Sequence, residues 1–457
     1  MKIEVDPKIF RAYDIRGLYP SEINEKIAFL IGRAFVKFLK KGAQKREIIK
    51  IGIGRDNRIS SPYLLRGLKR GILTERVKVF DFGLSTTPLF YFGISHLKLT
   101  GGIQITASHN PPQYNGFKIV KRGAFPVGER SGLEEIKKLV FSEETLKGEG
   151  KGISIKKKIL KEYIDFNLKE FNLKDFLPLK IVVDTANSVS GILFPRLFEK
   201  TKIKIFHLFS ELDGTFPNHP PDPLVKENLK VIRERVKKEK ATLGVAFDGD
   251  GDRIIFIDEK GEIISGDLIL AFLAKTILEK KPRQKIAYDI RSSNIVPETI
   301  KRYGGMPLVS RIGHSFIKQK MRKEDIVFGG ELSGHYYSKN HYFCEAPIFV
   351  LLKIIEKISQ TKKPLSELIK PFKKYFHSGE INFKTEKKEE IIRELERRYK
   401  KGRVTKLDGI RIDFQDWWFL VRPSNTEPVL RLVVEAKEKR LLKEKIREVK
   451  NLIQSFL

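Results

Sequence analysis

A chain of 457 residues, 41% hydrophobic with Gly and Pro spread along it, is too long for one ordinary core and too apolar for long disorder, so three or four domains are expected. Its 89 Lys and Arg against 57 Asp and Glu give a formal charge of +32, which attracts anions; the absence of zinc-finger spacing or of a basic patch interleaved with aromatics argues against nucleic acid as the main partner. One cysteine, Cys344, excludes an internal disulfide; charge interrupts every apolar run before membrane-spanning length, and Met1-Lys2-Ile3-Glu4-Val5-Asp6 lacks the apolar core of a signal peptide, so a soluble cytoplasmic protein is expected.

Along the chain one arrangement recurs: a short β-branched strand, a polar or Gly-rich loop, then an amphipathic helix. Ile49, Ile51 and Ile53 lead to Arg55-Asp56-Asn57; Ile181-Val182-Val183 to Asp184-Thr185-Ala186-Asn187; Val245-Ala246-Phe247 to an aspartate loop; Ile286-Ala287-Tyr288 to Asp289-Ile290-Arg291-Ser292. Each loop falls at a strand's C-terminal end, where α/β folds place ligands. Polar joints lie at Lys147-Gly148-Glu149-Gly150-Lys151-Gly152, near Asp258-Glu259-Lys260-Gly261-Glu262, and around Leu368 to Pro371. The last ninety or so residues differ: a charged helix from Lys387 to Leu395, a strand ending at Val421, a second strand from Val429 to Glu435 and a helix near 438–457 predict a small α+β domain.

Four segments carry chemistry. Ile103-Gln104-Ile105 enters Thr106-Ala107-Ser108-His109-Asn110-Pro111-Pro112, a polar loop stiffened by two prolines, which suits the positioning of one hydroxyl. Serine needs activation to be a nucleophile, unless it is already phosphorylated and acts as donor; an ordinary capping turn is the competing reading. His109 suits phosphate binding, proton exchange or loop orientation, and Lys118 is either a phosphoryl-neutralising cation or one more solvated lysine. Asp248-Gly249-Asp250-Gly251-Asp252-Arg253 gathers three carboxylates that would repel one another without a cation, and oxygen-only ligands favour Mg2+ or Ca2+. The apolar run Ile254-Ile255-Phe256-Ile257 excludes a calcium hand, and Arg253 offers a fork for phosphate or a salt bridge back to the aspartates.

Gly329-Gly330-Glu331-Leu332-Ser333-Gly334-His335 places an anionic acceptor and a hydroxyl two residues apart, able to bracket adjacent sugar hydroxyls or simply to cap a helix. Arg422-Pro423-Ser424-Asn425-Thr426 follows a strand and offers a bidentate cation, neutral donors and turn amides: an anion cradle or a plain Pro/Asn turn. Arg431 either returns to that site or lies on a surface strand. No Walker loop is present, which disfavours an ATP-dependent kinase.

Taken in order, the four motifs resemble those of the bacterial and archaeal phosphomannomutases/phosphoglucomutases of the α-D-phosphohexomutase superfamily, over essentially the whole length. The resemblance implies an α/β fold of three related α/β domains plus a C-terminal α+β domain around a central active-site cleft. The expected division is 1–150 bearing the phosphoserine, 151–257 binding metal, 258–369 recognising sugar and 370–457 binding phosphate. It implies Ser108 as phosphoserine donor and acceptor and Asp248, Asp250 and Asp252 as Mg2+ ligands together with the phosphoserine. Arg253, Lys118 and His109 would handle the phosphoryl group and proton. Tyr13 and Arg16, in Tyr13-Asp14-Ile15-Arg16-Gly17, match an N-terminal motif that reaches the site, and Arg291 and His314 match third-domain residues. Glu331 and Ser333 would read the hexose hydroxyls. Arg422, Ser424, Asn425 and Thr426 would hold the non-reacting phosphate, with Arg431 as a looser match.

The implied activity is reversible interconversion of 6- and 1-phosphohexoses through a glucose or mannose 1,6-bisphosphate, which serves as activator and intermediate, by a monomer or homodimer whose partner is a phosphorylated hexose. Gln113-Tyr114-Asn115-Gly116-Phe117-Lys118 and Asn425 resemble the mannose/glucose enzymes more than phosphoglucosamine mutases; a phosphoglucosamine or phosphopentose mutase, a phosphatase and a non-catalytic sugar-phosphate-binding protein are the alternatives. Phe343-Cys344-Glu345-Ala346-Pro347 departs from the acidic pair and glycine common in the family, a change that bears either on packing between domains or on activity and leaves the chemical residues intact.

Overall fold

The computed structural model describes residues 4–43, 47–142, 150–423 and 429–457. These form two compact units, one made of Met1–Ile264 with Ser333–Ser366, the other of Ser265–Leu332 with Glu367–Leu457. No helix among the described residues is long and apolar enough to cross a membrane.

The first unit holds two sheets. In one, the parallel strands Lys50–Arg55, Lys78–Leu84 and Gly101–Ile105 are followed by antiparallel Tyr114–Lys121, which pairs in turn with Ile15–Leu18. Helix Glu25–Lys41 starts where the Asn24 side chain accepts the amides of Lys26 and Ile27, and its apolar face buries Ile27, Ile31, Ala34 and Phe35. It lies close to helix Ser61–Leu73, whose Gly71 leaves no room for a side chain: a Cβ there would stand 2.0 Å from the Phe29 carbonyl oxygen. Each fully buried Ile or Leu in this core contributes about 1.5–3 kcal/mol.

In the second sheet Lys204–Leu208, Lys180–Asp184 and Leu243–Phe247 run parallel, and Ile254–Asp258 returns antiparallel with Phe247 opposite Ile254. Both strands of that hairpin are buried throughout, so the six residues between them, Asp248 to Arg253, are fixed at each end. Strand Cys344–Glu345, within the segment that departs from the family pattern, pairs with Tyr336–Ser338, and Glu345 is buried.

The second unit places Met306–Ser310, Lys285–Asp289 and Phe328–Gly330 in parallel. Its C-terminal part is an antiparallel sheet ordered Phe376–His377, Val429–Ala436, Trp417–Pro423, Ile410–Asp413, Arg403–Thr405, with Ile381–Lys384 also on Val429–Ala436. Helices Lys388–Arg398 and Lys439–Gln454 bury Ile391, Leu395, Val449 and Ile453 in this sheet's core cluster. On another cluster Trp418, Leu420 and Val433 meet Ile290, and the Arg411 guanidinium stacks 3.7 Å over the Trp418 ring. Three α/β/α segments followed by a C-terminal α+β domain is therefore the architecture, as the sequence led us to expect.

Candidate active site

Ser108 follows strand Gly101–Ile105 and is 3% exposed, with φ at +50°, a left-handed conformation that a serine adopts only when its surroundings impose it. Its amide donates to Thr106 Oγ1 at 2.9 Å, and its carbonyl lies so near Gly249 that a Cβ on that glycine would come within 2.3 Å. The serine loop and the aspartate loop are thus in backbone contact. The Ser108 hydroxyl donates to Asp248 Oδ2 at 2.7 Å, so the proton of the candidate nucleophile points at a carboxylate.

Asp248, Asp250 and Asp252 are all buried and can present ligand oxygens within 4.8 Å of one another. The group fits a divalent cation such as Mg2+: every donor is a hard oxygen, and Asp250 Oδ1 is buried with no hydrogen-bond partner. Burial, then the charges of Asp252 and Asp250, push the Asp248 carboxyl well above the usual range. Asp252 is buried too, yet Lys118, His335 and Arg253 hold it well below that range. Lys118, on strand Tyr114–Lys121, is only 4% exposed and bridges Asp250 Oδ2 at 2.6 Å and Asp252 Oδ2 at 2.5 Å. Three carboxylates against the cations Lys118 and Arg253 leave the cluster short of positive charge, which a divalent ion would supply.

Arg253 lies 3.8 Å from both Asp248 and Asp222 and donates from Nη2 to His109 Nδ1 at 3.0 Å. Because arginine can only donate, Nδ1 accepts and the His109 proton belongs on Nε2. The Arg253 charge, with burial and Arg16, lowers the His109 pKa well below 6.5, so this ring is neutral at pH 7. Arg16 joins the loop from strand Ile15–Leu18, bonding Asn110 Oδ1 and, at 2.5 Å, Asp14 Oδ2; Tyr13 precedes it and is half-buried. Ser333 accompanies this unit, its hydroxyl 2.9 Å from His335 Nδ1, while His335 Nε2 stands 3.1 Å from Asp252 Oδ1.

The second unit carries a different cluster. Arg291 bonds Asp289 at 2.8 Å and lies 3.8 Å from Glu331. The Glu380 carboxylate collects three arginines: Arg422 at 3.0 Å, and Arg291 and Arg431 each at 3.7 Å. Burial pushes its carboxyl up, but these cations outweigh that and hold it below 4.5. Arg422 and Arg431 face each other across strands Trp417–Pro423 and Val429–Ala436. His314 opens helix His314–Glu324 and is half-buried. Ser424, Asn425 and Thr426 lie outside the described residues.

Sequence reasoning singled out neither Glu380, nor His335 as a partner of Asp252, nor Arg58, whose guanidinium touches the serine loop at four carbonyls. His335 ends a quoted motif and was visible as a titratable group there. Glu380 and Arg58 stand in segments with no local signal beyond a preceding glycine and an Asp-x-Arg spacing.

Comparison with known proteins places these features in one lineage. Four family models match in succession: phosphoglucomutase/phosphomannomutase alpha/beta/alpha domain I over 7–147, domain II over 161–261, domain III over 265–375, and the C-terminal domain over 380–452. A phosphomannomutase of Methanocaldococcus jannaschii is 42% identical over 455 residues, covering 98% of each chain, and one of Vibrio cholerae is 37% identical over 457 residues, again covering 98% of each. The crystal structure of a phosphoglucomutase/phosphomannomutase family protein from Burkholderia thailandensis superposes with a TM-score of 0.90 at 31% identity, covering 99% of this chain and 98% of that one.

Proposed function

The chain belongs to the phosphoglucomutase/phosphomannomutase family of the α-D-phosphohexomutase superfamily and is an enzyme of phosphohexomutase type, and on that premise we propose that it interconverts mannose 6-phosphate with mannose 1-phosphate and glucose 6-phosphate with glucose 1-phosphate. Phosphoserine 108 would give its phosphoryl group to the free O1 or O6 of the sugar, forming the hexose 1,6-bisphosphate. After the intermediate turns end for end, the other phosphate would return to Ser108. The observation that carries this reading is the Ser108 hydroxyl held 2.7 Å from a member of a buried three-aspartate cluster.

Each residue has a part that its chemistry suits. Asp248, Asp250 and Asp252 would hold Mg2+, which, when bound, offsets charge on the transferring phosphoryl oxygens. Lys118 and Arg253 add fixed positive charge on the same group. His109 offers a neutral Nε2–H, a donor that does not compete for protons near pH 7. Arg16 and Tyr13 support the serine loop side of the site. Glu331 and Ser333 would read sugar hydroxyls, and Arg291 and His314 would also bind substrate. Arg422 and Arg431, with Ser424, Asn425 and Thr426, would hold the phosphate that is not reacting. These parts fall along the chain as phosphoserine (1–150), metal (151–257), sugar (258–369) and phosphate (370–457) segments. The names of the relatives, phosphomannomutases, favour mannose as one substrate.

The test is a panel of mannose, glucose, glucosamine and pentose phosphates with Mg2+ and glucose 1,6-bisphosphate, products read by phosphorus NMR. Interconversion of both hexose phosphates without net release of inorganic phosphate is expected. Rapid release of inorganic phosphate, or turnover confined to the aminosugar or pentose, would overturn the assignment.

A further inference from the structure

We propose that Arg58 is a positioning residue for the phosphoryl-carrying serine: its guanidinium fixes the serine loop and thereby the direction of the Ser108 hydroxyl. The inference rests on the reading of Ser108 as that carrier. Arg58 lies between strand Lys50–Arg55 and helix Ser61–Leu73 and is completely buried. All five of its guanidinium N–H groups have acceptors. Nη2 donates to the carbonyls of Ser108 and Asn110, both at 2.7 Å. Nη1 donates to those of Pro111 at 2.6 Å and Tyr114 at 3.1 Å. Nε donates to Asp56 Oδ2 at 3.2 Å.

Four of the five bonds therefore end on backbone carbonyls between Ser108 and Tyr114, a stretch that holds Pro111 and Pro112. Prolines lack amides, so Pro111 and Pro112 donate nothing; the stretch has turn bonds from the Asn110 amide to the Ala107 carbonyl at 3.0 Å and from the Tyr114 amide to the Pro111 carbonyl at 3.1 Å, and Arg58 supplies donors to the Ser108 and Asn110 carbonyls. The fork is itself aimed by its base. Asp56 accepts the Arg58 amide at 3.0 Å and the Ser61 hydroxyl at 2.5 Å, tying the guanidinium to the first turn of the following helix. The Phe216 ring, 5.1 Å from the guanidinium carbon, closes one face.

The consequence falls on Ser108. Its φ of +50° is disfavoured for a serine and persists only under constraint. Its carbonyl is held between the Arg58 Nη2 and the backbone of Gly249. Rotation of that peptide would swing the hydroxyl away from Asp248 Oδ2. Lysine keeps the charge but has one nitrogen and three N–H groups without a planar fork, so it cannot hold four carbonyls at once.

The test compares R58K with wild type and with Ser108→Ala in steady-state assays with Mg2+ and glucose 1,6-bisphosphate, and measures inorganic phosphate release and thermal unfolding alongside. A misaimed nucleophile predicts a loss of about 100-fold in kcat for R58K. KM should stay within about threefold, because the substrate contacts are untouched. Phosphate release per isomerisation should rise, since a loosened loop exposes phosphoserine to water. A merely structural arginine would leave that ratio unchanged. An R58K enzyme with wild-type kcat, or one that loses activity only in step with unfolding, overturns the positioning role. If S108A itself turns over normally, the carrier reading falls instead, whatever R58K does.

Discussion

The two units hold charge clusters of opposite design. In the first, three buried aspartates gather around too few cations, an arrangement that could hold a divalent ion. In the second, Arg291, Arg422 and Arg431 gather around one partly exposed carboxylate, Glu380, while Arg291 also meets Asp289 and Glu331, so Arg422 and Arg431 are the pair suited to holding an anion. The first is tightly framed: its members sit on a hairpin whose strands are fully buried and on a loop bonded by Arg58. The second is assembled from side chains on separate strands and loops, around a carboxylate with which a substrate phosphate would compete. Chemistry that makes and breaks bonds suits the former, and reversible capture of a ligand suits the latter.

The sharpest way to break this contrast is to remove the hydroxyl on the tightly framed side. Ser108→Ala should lower kcat by more than about 10⁴-fold, since loss of a covalent carrier leaves no alternative route. Mass spectrometry should find phosphate on Ser108 of the wild-type protein after incubation with hexose bisphosphate and none on the variant. Normal multiple turnover by S108A would end the mechanism. Next in size is Asp250→Asn. Loss of an outer partner of a metal ligand typically costs about 10–100-fold in affinity, and a direct ligand should exceed that. Wild-type protein should also melt at higher temperature when Mg2+ is added, by mass action, and D250N should lose most of that increment. Undiminished Mg2+ affinity in D250N would remove the metal assignment.

How legible each cluster was in the sequence follows from the same contrast. Asp248, Asp250 and Asp252 lie within five residues of one another, and Ser108 lies in a motif of seven, so local spacing carried both. The strands leading into them were readable because a buried strand such as Leu243–Phe247 is continuously apolar. Lys118 was ambiguous in sequence and is buried because Tyr114–Lys121 has a strand on each side. Glu380 and Arg58 were not legible. Their meaning comes from partners 42 and 50 residues away or more along the chain, and no periodicity encodes such contacts. Arg431 became meaningful only through its register opposite Arg422.

A smaller effect is expected on the capturing side. A hydrogen bond to a charged group contributes about 1.5–3 kcal/mol, so Arg422→Ala should raise KM for mannose 1-phosphate and glucose 1-phosphate together by roughly 10–150-fold. kcat should change less than KM, and inorganic phosphate should become a weaker competitor. Unchanged KM with unchanged phosphate competition would show that this arginine serves Glu380 alone.

The smallest effect, and the one that tests whether the second cluster is a displaceable pair, comes from Glu380→Gln. The carboxylate and a substrate phosphate would compete for the same guanidinium groups. Neutralising it should therefore strengthen phosphate binding, with KM and the inhibition constant of inorganic phosphate falling about threefold to tenfold. The same change should weaken the free protein. Glu380 is held below its ordinary value of 4.5 by Arg291, Arg422 and Arg431. A depressed folded-state pKa contributes stability that is present above the unfolded value and is lost as pH falls through the folded one. Wild type should therefore be more stable than E380Q at pH 7, and the gap should close only as the pH drops below 4.5. Glu380 is about a quarter exposed, so solvent screening keeps that gap small. Weaker phosphate binding by E380Q would give Glu380 the opposite part, a strut that aligns the arginines, and the second site would then be as fixed as the first.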